Sequence, residues 1–267
     1  MDHDPVRIET EGQSPRVLIL GASGELGGAL ARHYARSGAS LSLWGRNRAK
    51  LDQLAESCRQ IGADQLAVCS RDLRQVDDAI AAAVAEDTAA PFDIVIMASG
   101  SGDIRAPGAT TEDGLQVARL VLVNFAAPAA IASALGERMA ERGCGSIVLI
   151  GSAAAFHALP FAAAYAGSKA GLARFADALR ISLKPHGVSV TLVSPGFIDT
   201  ASAHLVPGPK PMMLTPQAAA SAIITAARQG RAHLVMPWPF AILRAIDPLL
   251  PRFLRDRLLR SLTPPGH

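Results

Sequence analysis

At 267 residues the chain is long for one domain yet within the range of a single α/β unit, with 49% apolar residues and a formal net charge of +3. That composition excludes a disordered or fibrous chain, and a charge so small and scattered argues against a nucleic-acid partner. Cys58, Cys69 and Cys144 form no Cys-x-x-Cys pair and the histidines show no metal-helix spacing, so neither a disulfide framework nor a metal site is expected. A reducing, cytoplasmic setting is the simplest expectation. Residues 1–15 are polar and read as a loose tail, not a signal peptide, and no unbroken apolar run of about eighteen residues predicts a membrane span.

Residues 16–20 are a continuous apolar run, the pattern of a parallel strand covered on both faces. They lead into Gly21-Ala-Ser23-Gly24-Glu25-Leu26-Gly27 and then an Ala-rich helix closed by Gly38. This is the setting of a phosphate-binding fingerprint. Gly21 makes the tight turn, Gly24 lets backbone approach a pyrophosphate, and Gly27 permits close helix packing at an N-terminus rich in free N–H groups. A purely structural turn is the other reading. After a second strand at 40–44 come Gly45, Arg46, Asn47 and Arg48, where a fold preferring NAD places an acid for the ribose hydroxyls. A guanidinium there suits a 2′-phosphate, so NADP(H) is the expected cofactor, NAD(H) the lesser option, and a solvated charge run the bland reading.

A helix over 49–60 and a strand over 65–69 follow. Asp72 and Leu73 open a helical stretch to about residue 85, with Asp72 either capping it or touching an adenine amino group. The fourth strand begins at residue 92 and exits through Ala98, Ser99 and Gly100, small enough for a ribose to lie against backbone. Asn124 sits inside a long helical pattern over 110–139 and either bends it or holds a water.

The run 147–152 delivers Ser152 at a strand end, and Phe156, His157, Leu159 and Phe161 beyond it can wall a pocket. Tyr165 and Lys169 stand one helical turn apart on a helix reaching residue 183. A neighbouring ammonium favours the phenolate and makes the phenol a proton donor nearer neutral pH; a surface Tyr and Lys on an ordinary helix is the alternative. The strand 188–193 breaks at Pro195, Gly196, Ile198 and Thr200. Residues 201–214 read as a mobile lid, unpacked, and with Phe197 they add Leu205, Met212 and Met213 to an apolar substrate pocket. Thr215 and Pro216 start a helix to about 230, and 233–237 is a last strand. In the tail, Leu250, Phe253, Leu254, Leu258 and Leu262 form an apolar face opposite Arg252, Arg255 and Arg260. Such a helix lies on anionic lipid, on its own lid or on a second subunit. The expected organisation is a tail (1–15), one domain (16–238) with a lid at about 200–215, and an amphipathic extension (239–267).

Taken jointly, the glycine turn at 21–27, Asp72, Asn124, Ser152, the Tyr165-x-x-x-Lys169 pair and Pro195-Gly196 with Thr200 resemble the short-chain dehydrogenase/reductase family over nearly all of 16–238. The resemblance implies an α/β Rossmann-type, doubly wound parallel sheet ordered 3-2-1-4-5-6-7, and a homodimer or homotetramer. It implies Tyr165 as general acid or base, Ser152 orienting the substrate oxygen, Lys169 perturbing Tyr165 and binding the nicotinamide ribose, and Asn124 anchoring a water relay. Two features depart from the family. Leu20 replaces the usual Thr and Glu25 occupies the place of the middle glycine, and Met97-Ala98-Ser99-Gly100 replaces Asn-Asn-Ala-Gly. The glycine spacing is similar to the sugar-nucleotide epimerase branch, whose large C-terminal substrate domain is missing here. The reading is hydride transfer between a nicotinamide and the carbonyl or secondary alcohol of an apolar small molecule. Its rival is a non-catalytic dinucleotide sensor or scaffold docking through the tail.

Overall fold

The computed structural model describes residues 14–206 and 208–261. The expectations for residues 1–13, and for Leu262 on the tail's apolar face, lie outside them. Strands β1 (Arg16–Leu20), β2 (Ser40–Gly45), β3 (Leu66–Ser70), β4 (Ile94–Met97), β5 (Gly145–Ile150), β6 (Val188–Pro195) and β7 (His233–Met236) form one parallel sheet in the order 3-2-1-4-5-6-7, as expected. The unbroken apolar runs of β1, β4 and β5 have a simple cause: helices cover both faces, so every side chain on these strands must enter a core. One core lies under α1 (Glu25–Arg36), α2 (Arg48–Ile61) and α8 (Pro216–Arg228). The other lies under α3 (Val76–Ala89), α5 (Ala127–Arg142) and α6 (Ala163–Leu183).

Several local expectations need correction. The helix expected from Asp72 begins four residues later, at Val76. Asp72 folds back on Arg74 instead of capping it: Oδ1 accepts the Arg74 N–H at 3.0 Å, and the carboxylate takes the guanidinium at 2.8 Å. Helix α4 (Gly114–Val121) runs through a π-helical turn, Leu122–Ala126, into α5. The whole stretch Gly114–Arg142 is long and apolar enough to cross a membrane by length and composition, with mean hydropathy 1.6. Counting unbroken apolar runs misses it, because scattered polar residues interrupt the pattern without lowering its mean. Its inner side, Leu120, Ile131, Leu135 and Met139, is buried in the core.

The segment read as an unpacked lid contains a short helix, α7 (Ala201–Leu205), and its far end is pinned by pairing of Ile198 with Leu214. The tail forms α9 (Pro239–Ile246), a 3-10 turn and α10 (Arg252–Ser261). Helix α9 packs on the end of β6, not on the lid: Phe240 lies so close to Gly196 that a Cβ there would meet its ring at 2.5 Å. Arg244 of α9 donates to His233 Nδ1 at 2.6 Å and lies over the Phe156 ring at 5.4 Å. Burial, then Arg244, pulls the His233 imidazole down to about 4, so it stays neutral and accepts that bond.

Candidate active site

Strand β5 ends at Ile150 because Gly151 turns the chain, its N–H still bonded to the Val193 carbonyl. Ser152 therefore stands just beyond the strand, 9% exposed, capping a 3-10 turn with its Oγ on the Ala154 N–H. Its hydroxyl lies near enough to the Tyr165 phenol to favour the phenolate. Tyr165 sits in the first turn of α6, and Lys169 one turn deeper is 3% exposed, its Nζ donating to the Ile150 carbonyl at 2.9 Å. One carbonyl satisfies one of three ammonium donors.

The electrostatics differ from the expectation. Part of the Tyr165 surface is open, yet its hydroxyl is densely surrounded. Burial pushes the phenol above its ordinary 10.0, and the Ser152 hydroxyl opposes that rise. Lys169 is no visible cause of acidity in Tyr165. Burial instead pulls its own ammonium down from 10.5 to about 8. Distance along a helix does not show the cost of desolvating both groups.

Asn124 occupies the π-helical turn, fully buried. Its Oδ1 accepts from Ser101 N at 2.8 Å, and its Nδ2 donates to Ser101 O at 2.9 Å and Ser168 Oγ at 3.3 Å. The side chain thus clamps the turn after β4 to α6. A Cβ on Gly100 would lie 3.4 Å from Lys169 Nζ and 3.5 Å from Asn124 Oδ1, so the β4 exit meets the Tyr165 helix here.

The glycine loop behaves as its spacing predicts. Gly21 has φ +83°, and a Cβ on it would fall 2.6 Å from Ser99 N; a Cβ on Gly27 would strike the Gly21 carbonyl. Gly24 is open and starts α1 without a side-chain cap. Ser23 abuts Gly45 at the end of β2, Leu26 and Ala98 pack on one core, and Leu73 packs on the other. Glu25, in the family's glycine place, reaches across to α7, its Oε1 accepting Ala201 N at 3.1 Å, while Thr200 Oγ1 caps α7 at Ala203 N. Pro195 is buried at the end of β6, with Gly196 under Phe240.

At the end of β2, Asn47 caps α2 by accepting Lys50 N, and Arg48 pairs with Asp52. Arg46 is exposed and makes no ion pair among the described residues. Asp72 is engaged by Arg74, which competes with any adenine contact. Of the pocket candidates, Phe156, His157 and Leu159 line a cavity of about 600 Å³ with Ala166, Asp247 and Arg255. His157 is held there by Asp247 at 2.8 Å, tying the loop after Ser152 to the tail. Leu205 and Met212 are exposed.

The short chain dehydrogenase family model matches residues 15–207. The chain belongs to the short-chain dehydrogenase/reductase family. This dehydrogenase is 30% identical over 249 residues to an uncharacterized oxidoreductase of Myxococcus xanthus, covering 92% of this chain and 96% of that one. It is 32% identical over 199 residues to dehydrogenase/reductase SDR family member 7B of Bos taurus, covering 73% and 61% respectively. Among solved structures it is similar to a short-chain dehydrogenase from Sphingobium yanoikuyae in complex with NADPH, with TM-score 0.79, 25% identity, and coverage of 95% and 98%. It is also similar to the bulky-bulky ketone specific alcohol dehydrogenase from Comamonas testosteroni, with TM-score 0.77, 25% identity, and coverage of 95% and 96%. As a member of this family it is an NAD(P)-dependent oxidoreductase acting on small molecules with carbonyl or alcohol groups.

The dehydrogenase's own residues fit such a dinucleotide. Helix α1 presents uncapped N–H groups behind the open Gly24. The Ser99 hydroxyl is buried with no hydrogen-bond partner among the described residues, and Lys169 keeps donors beyond the one on Ile150. Two residues escaped the sequence reading. Glu112 accepts Ala164 N at 2.7 Å, capping α6 one residue before Tyr165 from 52 positions away, a contact without any local signal. Arg71 lies 5.8 Å from the Trp44 ring centroid with Nε buried and unpartnered among the described residues. Its adjacency to Asp72 at a strand exit was the available clue.

Proposed function

We propose that this dehydrogenase is an NADPH-dependent reductase of apolar ketones in which Tyr165 is the proton donor. The Ser152 hydroxyl acting on the Tyr165 phenol, with Lys169 buried one turn further along α6, carries the reading. Bound NADPH supplies hydride to the carbonyl carbon. Tyr165, whose raised pKa keeps its proton at neutral pH, delivers that proton to the substrate oxygen as negative charge develops there. Ser152 hydrogen-bonds the same oxygen, stabilising charge present only in the transition state. Solvent then returns a proton to the phenolate. Lys169 and Ser99 would hold the cofactor's ribose units, and the α1 N-terminus its pyrophosphate.

The NADP preference rests on Arg46, an exposed guanidinium near Asp72 that stands where an acid would favour NAD and can meet a 2′-phosphate. The likeness to an enzyme named for bulky ketones supports an apolar substrate. The test is Tyr165→Phe against a ketone panel, following NADPH absorbance. Turnover is expected to fall at least about a hundredfold while NADPH binding, read by fluorescence, stays within about twofold. A variant retaining most activity refutes the assignment. Wild-type protein that binds NADPH yet oxidises it with no ketone supports the sensor reading instead.

A further inference from the structure

We propose that the outward face of the C-terminal segment, from Trp238 to Ser261, docks on an anionic phospholipid bilayer. The inward side of α9 is set by Phe240 on Gly196 and by Arg244 on His233. The opposite side therefore shows solvent Trp238, 70% exposed, together with Ile242, Leu243 and Ile246, an i, i+4, i+5, i+8 stripe. Leu249 continues it at 79% exposed. In α10 the residue turned inward is Leu259, with Arg255 half-buried, whereas Phe253 (77% exposed), Leu254 and Leu258 face out.

That orientation reverses what water demands. A helix at a protein surface normally turns its apolar stripe to the core, and here both helices keep large apolar side chains outside. Charge selects the occupant. Arg252, Arg257 and Arg260 are exposed among these apolar groups, and Asp256 is the one acid in α10. A self-complementary contact with a second copy would set these arginines against one another with Asp256 as the one acid of α10 to offset them, so a second copy suits this face poorly. An anionic bilayer offers hydrocarbon to Phe253, Leu254 and Leu258, phosphate to the arginines, and a headgroup zone to Trp238. The 3-10 turn between the helices is pinned by Asp247 to His157, so the docked face is rigidly joined to the loop after Ser152.

The experiment is vesicle flotation of the full chain with phosphatidylglycerol/phosphatidylcholine vesicles and with pure phosphatidylcholine vesicles, at low and high salt. The wild type is expected to float with the anionic vesicles, to release in high salt, and to stay unbound with the neutral ones. Each basic side chain near an anionic surface strengthens binding about fivefold, so Arg257→Gln with Arg260→Gln is expected to weaken it roughly 25-fold. Phe253→Ser is expected to weaken it separately. NADPH oxidation by both variants reports that the fold is intact. No flotation with anionic vesicles, or equal flotation with neutral ones, overturns the proposal. So does light scattering that shows a dimer dispersed by Phe253→Ser in protein that never binds vesicles, which assigns the face to a second copy.

Discussion

Replacing Lys169 by Met tests whether the buried ammonium is a strained group held for chemistry. Its folded pKa, lowered from 10.5 to about 8 by burial, means that the fold binds this proton less tightly than the unfolded chain does. The sign follows from which state holds more protons. Below pH 8 both states are protonated and the full penalty applies, about 3 kcal/mol from the size of the shift. Between pH 8 and 10.5 the unfolded chain keeps a proton the fold has released, so stability rises with pH; above 10.5 the penalty is gone. Between pH 7 and 9.5 this group alone should add about 2 kcal/mol to the wild type. Met removes that slope. It also strands the Ile150 carbonyl, which loses its bond from Nζ and costs about 1–3 kcal/mol. At pH 7 the two effects nearly cancel, so the variant should be inactive yet close to wild-type stability. Urea unfolding of both proteins at the two pH values reads this directly, and the difference of differences removes other titrations. Parallel pH dependences for the two proteins would falsify the burial argument.

Three further outcomes follow from the same geometry. Arg46→Ala should raise the KM for NADPH about tenfold and leave that for NADH within about twofold, as lost charge-assisted bonds to a 2′-phosphate require; equal losses remove the phosphate role. Ser152→Ala should lower kcat about a hundredfold and move the alkaline limb of the reduction profile to higher pH, because a hydroxyl favouring the phenolate disappears; a limb moving down contradicts the direction assigned to Tyr165. Glu112→Ala should cut kcat about tenfold with cofactor KM unchanged, while Glu112→Gln, keeping an acceptor for Ala164 N, should recover most of it. Equal damage from both reduces Glu112 to a charge effect.

Much of the scaffold was legible because its signals are local. Buried parallel strands need unbroken apolar runs, so β1, β4 and β5 stood out, and the resemblance supplied the strand order later observed. Gly27 carries a steric requirement against Gly21 within a single turn of chain, which their spacing already states, whereas the crowding at Gly21 comes from Ser99 on a distant segment. The placement of Ser152 beside Tyr165 was also foreseen, since a strand end and a helix start meet at the carboxyl edge of such a sheet. The start of α3 was misread because Asp72 had two ways to satisfy nearby donors, and Arg74 won.

What the sequence alone determined is the main succession of strands and helices, the glycine turn and the side chains that are candidates for the chemistry, since these depend on periodicity and on residues within a few positions of one another. Only the tertiary structure decided how acidic those side chains are, which distant residues hold them, and which way the tail faces. Desolvation of Tyr165 and Lys169, the cap from Glu112 and the outward turn of Phe253 all depend on what the rest of the chain packs around them. Burial is a property of the folded surroundings, and no pattern along the chain encodes it residue by residue.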